Sequence, residues 1–418
     1  MTGTGLIALL LTLTALFSYF NFRWIRLPAT IGIMLMALFC SLAVIALRAL
    51  GLPCERPVAD ILARVHFDRT FMQGMLSFLL FAGALHVDLN HLVREKVPVL
   101  ILATVGVFTS TLMVGAGLHA VLPFLGLNLS FAFCLLFGAL ISPTDPIAVL
   151  GILKTFKVPQ ALDTKIVGES LFNDGVGVIA FLMLSELALH GGPVSFRHMA
   201  ALFVQQALGG AVFGLGVGWV TYLLLKSVDN YQVEVLLTLA LVSGGYALAA
   251  ALQLSGPIAI VVAGLLIGNQ GRRFAMSDRT REHLDMFWEL IDGILNGVLF
   301  VLIGLEVLQL RFTRSWLEAG LAAIPLLLVA RWVSVAVPVG IMRRWRKFDP
   351  GAVAILTWGG LRGGIPVALA LSLDAGVQGE LIVVITYVTV VFSIVVQGLT
   401  MKPLVERYYP VDPSPAEG

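Results

Sequence analysis

Thirteen apolar runs dominate the sequence, at 5–22, 28–50, 70–87, 97–123, 129–153, 164–189, 200–225, 232–254, 256–270, 285–308, 316–341, 351–373 and 379–401. At about 1.5 Å of rise per residue, roughly 17–25 residues of helix cross the hydrocarbon core of a bilayer, and most of the runs are of that order. No water is present there to hydrogen-bond the backbone, so spanning segments of this kind are confined to α-helices. Only 12% of the residues are charged and the mean hydropathy is +0.95, whereas a soluble domain carries about 25% charged residues. The expected fold is an all-α polytopic membrane protein of about 13 transmembrane helices, with one membrane domain over 1–401 and a short cytoplasmic tail over 402–418.

Charge gives the runs a direction, because Lys and Arg accumulate in short cytoplasmic loops. The loops after spans 1, 3, 5, 7, 9 and 11, with the tail and with Lys165 at the very edge of span 6, hold 18 of the 27 basic residues, and the opposite side holds 6. The N-terminus is therefore expected outside and the C-terminus in the cytoplasm. The other three basic residues fall within spans, Arg48 near an end and Arg331 and Arg362 deep. Arg23 and Arg26 follow the first run, which has no small-residue cleavage site, so it is expected to be a retained helix rather than a signal peptide. Topology accounts for the basic residues, and a net charge of +2 makes no case for nucleic acid. Cys40, Cys54 and Cys134 offer neither a disulfide framework nor a metal-ligand spacing. Any chemistry is expected within the bilayer.

Ionisable groups at membrane depth are costly and as a rule face a cavity or a partner. Those well inside spans are Asp145, Glu169, Asp174, Arg331 and Arg362. Asp145 stands in ISPTDPIAVL, between Pro143 and Pro146. A proline has no amide hydrogen and restricts the residue before it, so carbonyls around Ser142 to Asp145 lose their helical donors and span 5 is expected to be broken. Free carbonyls, the Thr144 hydroxyl and the Asp145 carboxylate are hard oxygen ligands suited to a small cation; the alternative is a kink with a satisfied Asp. Span 12 holds a second disruption, TWGGLRGGIPVALAL, with four glycines, Pro366 and Arg362. The two lie an odd number of spans apart and so run in opposite directions, as two inverted repeats (spans 1–6 and 8–13) with discontinuous helices 5 and 12 require.

Span 6 reads GESLFNDGVGVIAF. On a helix Glu169 and Asn173 are i,i+4 neighbours, as are Ser170 and Asp174, so four polar groups share one broad face. Gly168, Gly175 and Gly177 would admit a neighbouring backbone. Glu169 and Arg362 are expected to form a structural ion pair, and Arg331 to find Asp292 or Glu289. Asn296 is expected to make a helix-packing hydrogen bond. The histidines, among them His66, His86, His91 and His119, fall near span ends, where no function is needed to explain them.

With SPTDPIAVL, GESLFNDGVGVIAF, FWELIDGILNGVLFVLIGLE and WGGLRGGIPVALALSL in family order, the chain resembles prokaryotic NhaP-type sodium/proton antiporters. These belong to the monovalent cation:proton antiporter family, with the animal sodium/hydrogen exchangers. The resemblance implies a secondary active transporter, not an enzyme, in a bacterial or archaeal plasma membrane, serving pH homeostasis. It implies that Asp174 carries the cation and the proton by turns, that Na+ sits at Asp174, Asp145, Thr144 and Ser170 with Asn173 in support, and that Glu169 and Arg362 bridge spans 6 and 12. It further implies a homodimer, and a core bundle including spans 5, 6, 12 and 13 that shifts against a dimerisation bundle of the remaining spans. An Asn before the key Asp, where electrogenic relatives have two aspartates, implies electroneutral exchange of one Na+ (or Li+) for one H+. His86 stands where an acidic residue is common in the family, which removes an accessory acidic position from span 3.

The implied mechanism is competition for one site with alternating access, since only a neutralised carboxylate crosses the low-dielectric barrier cheaply. Transported ions, membrane lipid and a second copy are the expected partners, with no cofactor. The alternatives are a K+/H+ antiporter, a cation channel and an intramembrane aspartyl protease using Asp145 and Asp174 as a dyad. The protease would need Gly-x-Gly before one Asp, whereas the glycines here follow, in Asn-Asp-Gly-Val-Gly.

Overall fold

The computed structural model describes residues 3–50, 74–156, 158–190, 196–373 and 376–410. Residues 70–73 of the third expected span, Cys54, His66, Asp374 and residues 411–418 of the expected tail lie outside them. Between its connecting turns and loops the described chain is helical, and its β pairing is one isolated antiparallel bridge, Asp145 to Leu361. In chain order the principal helices are α1 (Gly3–Phe20), α2 (Ala29–Ala49), α3 (Leu76–Leu85), α4 (Val107–Val121), α5 (Phe131–Ile141), α6 (Ile147–Thr155), α7 (Gln160–His190) and α8 (Phe196–Lys226). There follow α9 (Tyr231–Ala251), α10 (Gly256–Leu266), α11 (Asp278–Glu306), α12 (Arg314–Met342), α13 (Ala352–Trp358), α14 (Gly364–Leu371), α15 (Gly376–Phe392) and α16 (Gly398–Tyr408).

Among the described residues nine helical stretches are long and apolar enough to cross a membrane. The runs at 129–153 and 351–373 are instead split, into α5 and α6 and into α13 and α14, and the runs at 70–87 and 256–270 contain the shorter helices α3 and α10. Helix starts follow local chemistry: Ser130, Asn230, Ser255, Ser277 and Thr313 each accept a hydrogen bond from an early backbone amide of α5, α9, α10, α11 and α12, which satisfies a donor that the helix itself leaves free. Asp88 does the same for the short helix Leu89–Arg94.

The two broken spans are surrounded by other helices. α5 packs on α4, α7 and α14, while α14 also contacts α7, α11 and α15. α12, which carries Arg331 in its middle, lies against α4, α13 and α15. α8, α9 and α10 gather with α3 and α11 around Phe81, Tyr222, Leu241, Ile260 and Trp288, and the Trp288 indole donates to Thr238 Oγ1 at 3.1 Å. Leu208, Val212 and Trp219 on α8 leave large apolar surfaces uncovered, as a lipid-facing helix does. The layout buries non-helical backbone inside protein, where alone it is tolerated at membrane depth.

Candidate functional site

Proline chemistry sets the first break. Pro143 and Pro146 bring no amide hydrogen, and the Ser142 and Pro143 carbonyls at the end of α5 are taken up by Arg362, whose Nη1 donates to both, at 2.6 and 2.8 Å. The second break has a matching device. Leu356 O, near the end of α13, accepts from Arg331 Nη2 at 2.9 Å and Nε at 3.3 Å. Each half-helix thus ends its carbonyl-rich, negative pole on a guanidinium, the sign that the helix dipole favours. The opposite pole is treated in kind: at the start of α6 the amide of Ile147 donates to Asp145 Oδ1 at 2.9 Å.

The breaks are tied to each other and to α7. The Asp145 amide donates to Leu361 O at 2.8 Å, and a Cβ placed on Gly363 would collide with the Asp145 carboxylate. The glycine is what allows the close approach. The Arg362 amide donates to Ser393 Oγ at 3.0 Å, which donates on to Gln397 Oε1 at 2.6 Å, while Gln397 Nε2 donates to Trp358 O at 3.1 Å. On α7, Asn173 brackets Thr144, accepting from its amide at 3.3 Å and donating to its hydroxyl at 2.8 Å. Ser170 Oγ donates to Thr144 O. Pro143 seats against Gly177, where a Cβ would meet its ring.

Thr144, Asp145, Ser170 and Asp174 open onto one cavity of about 630 Å³, and Asp145 lies near enough to act electrostatically on Asp174. After the bonds just described, the Ser170 oxygen keeps two lone pairs and the Thr144 hydroxyl keeps one. Two carboxylates and two hydroxyls therefore remain able to take a small cation without breaking the scaffold.

Two sequence expectations are corrected. Glu169 does not pair with Arg362: its Oε1 is bound by Arg331 Nη1, with both side chains buried. Arg331 accordingly binds neither Asp292 nor Glu289. The physical reason is competition among acceptors. The breaks leave buried carbonyls that need donors as urgently as a carboxylate does, and Arg362 serves those of its partner break, leaving Glu169 to the arginine on α12. Arg362 still lies within electrostatic range of Glu169.

The far wall of the cavity was not foreseen. Glu289, Asp292 and Asn296 line it from α11, and His86, Asp88 and Asp163 line it from the end of α3 and the start of α7, with His86 and Asp88 exposed. The spacing of 289, 292 and 296 puts all three on one helical face, a signal present in FWELIDGILNG. Asn296, 2% exposed, makes no packing hydrogen bond at all.

Comparison with known proteins bears on the whole chain. The chain is 50% identical over 413 residues to the Na(+)/H(+) antiporter NhaP of Pseudomonas aeruginosa, covering 98% of this chain and 97% of that one. It is 35% identical over 345 residues to the Na(+)/H(+) antiporter NhaH of Halobacillus dabanensis, covering 82% and 83%. The solved structure of the sodium proton antiporter MjNhaP1 from Methanocaldococcus jannaschii superposes with a TM-score of 0.76 at 19% identity, over 98% of this chain and 99% of that one, which speaks for the fold. Residues 9–407 match the family described as "Sodium/hydrogen exchanger, transmembrane", and the chain belongs to that family.

Proposed function

We propose that the protein exchanges Na+ for H+ across the membrane, with the two ions competing for Asp174. The observation that carries the proposal is the meeting of Asp145 and Asp174 on one cavity at the crossing of two helix breaks. Asp174 is the exchanging carboxylate. Asp145, Thr144 and Ser170 complete the cation shell, and Asn173 holds Thr144 in place through its two hydrogen bonds. The relatives named above are sodium/proton antiporters, and membership in a family of exchangers rather than enzymes sets the protease alternative aside.

Exchange needs no covalent step. A proton or a Na+ neutralises the site, and the neutral site turns between the two faces at far lower cost than a bare carboxylate would incur. At the end of α3 and the start of α7 the cavity lining is exposed, at His86, Asp88 and Gln160. By the distribution of Lys and Arg this side faces the cytoplasm, so the conformation is inward-open and the N-terminus lies outside. Asn173 in place of a second aspartate supports one-for-one, electroneutral exchange. The bundle around the two breaks, spans 5, 6, 12 and 13, moves against the remaining spans, which also join two copies as a homodimer.

Antiport in proteoliposomes, with Na+, Li+ and K+ gradients and with and without an imposed voltage, tests the proposal. Proton movement driven by Na+ and Li+, insensitive to voltage and lost in Asp174→Asn, is expected. Persistent exchange in Asp174→Asn overturns the site, a K+-only response overturns the substrate, and voltage sensitivity overturns the stoichiometry.

A further inference from the structure

We propose that Asp292 and Asn296 form a second cation subsite on the α11 wall of the cavity, where a Na+ or Li+ ion is held before it passes to Asp174. Two independent observations meet there. Asn296 is 2% exposed and lines the cavity, yet among the described residues neither its amide oxygen nor its amide nitrogen has a hydrogen-bond partner. A buried primary amide in that condition calls for a ligand or for bound water. One turn earlier on the same face, Asp292 lines the same cavity and lies within electrostatic reach of Asp145. The Asn296 amide stands close enough to Asp292 to act on its carboxylate, so the two polar groups share one place on the cavity wall.

Among the described residues Asp292 forms no ion pair. Of the two arginines buried near the breaks, Arg331 is engaged by Glu169 and Leu356 O, and Arg362 by the carbonyls of Ser142 and Pro143. A carboxylate oxygen and an amide oxygen, one helical turn apart, are the hard donors that an alkali cation takes while it keeps part of its water shell. Because Asp292 acts on Asp145, a cation at the subsite stabilises the deprotonated main site before transfer, and transfer then frees the subsite for the next ion. The inference rests on the antiport function proposed above and names a step that precedes it.

The test uses the full-length protein, purified and reconstituted. Asp292→Asn and Asn296→Leu are expected each to raise the apparent KM for Na+ about tenfold, with a smaller change in kcat at saturating Na+, and Asp292→Glu to restore much of the affinity. In Asp174→Asn, calorimetric titration with NaCl is expected to detect residual Na+ binding that disappears in Asp174→Asn/Asp292→Asn. Should Asp292→Asn fail to fold, Asn296→Asp adds an anionic oxygen at the same place and is expected to lower KM at alkaline pH. An unchanged KM in the folded variants, a loss confined to kcat, or no Na+ binding by Asp174→Asn overturns the subsite. A wild-type protein that moves no protons under a Na+ gradient overturns the antiport function instead, and that result is read separately from the binding titration.

Discussion

Removing Glu169 tests how the second break is held. In Glu169→Leu the buried Arg331 guanidinium loses its carboxylate and keeps only its two hydrogen bonds to Leu356 O. Stripping one partner from a buried pair costs about 3–5 kcal/mol. The surviving carbonyl bonds put this case near the lower end, about 3 kcal/mol. At about 2.1 cal/mol/K of unfolding entropy per residue, a chain of 418 residues converts that loss into a fall in Tm of roughly 3–4 °C. Arg331→Met is costlier, since it also orphans Leu356 O. The double variant removes both charges, leaves one orphaned carbonyl and is expected within about 2 kcal/mol of the wild type, which makes the coupling energy about 4 kcal/mol or more. The assay is thermal unfolding of the purified protein in a mild detergent, carried through the full double-mutant cycle. The parallel cycle of Glu169 with Arg362, which share no hydrogen bond, is expected to show coupling below about 1 kcal/mol. A larger coupling for Glu169 with Arg362 than with Arg331 would refute the assignment.

Other expectations follow from the same geometry. Gly363→Ala places a methyl group against the Asp145 carboxylate and is expected to abolish exchange while thermal stability falls by only about 1–3 kcal/mol, the scale of an overpacked contact. Arg362→Lys keeps a charge but loses the planar fork that reaches the Ser142 and Pro143 carbonyls; a stability loss of about 1–3 kcal/mol is expected from thermal unfolding. Asn173→Leu leaves the Thr144 amide without its acceptor and the Thr144 hydroxyl without its donor, and is expected to raise the Na+ KM about tenfold or more in proteoliposome assays. Competition fixes the sign of the pH dependence: as pH falls the proton occupies the site, so the apparent KM for Na+ rises, approaching about tenfold per pH unit for a single proton. A KM independent of pH between the alkaline and acid limits of activity would count against a shared site.

The breaks in spans 5 and 12 were legible because proline and glycine act on the backbone that carries them. SPTDP and WGGLRGG interrupt helices at the positions their chemistry dictates. The grouping of Ser170, Asn173 and Asp174 was legible for a similar reason, since helical spacing alone aligns the polar face of α7. What sequence could not provide was the pairing of charges on spans far apart in the chain. Glu169 had two candidate arginines, and the choice depended on which carbonyls each arginine had to serve. Asn296 was read as a packing residue because a lone Asn on an apolar helix usually is one. Its relation to Asp292 and Glu289 was present in the spacing, and only the cavity distinguishes a lining face from a packed one.

The central claim is that one carboxylate, Asp174, gives up a proton when Na+ arrives. Proton release on adding NaCl to the purified protein, measured in a weakly buffered solution at a pH where the site is protonated, tests it without any assumption about transport. One proton released per protein molecule at saturating Na+, and none in Asp174→Asn, is the predicted result. Na+ binding by the wild type without proton release would contradict the account.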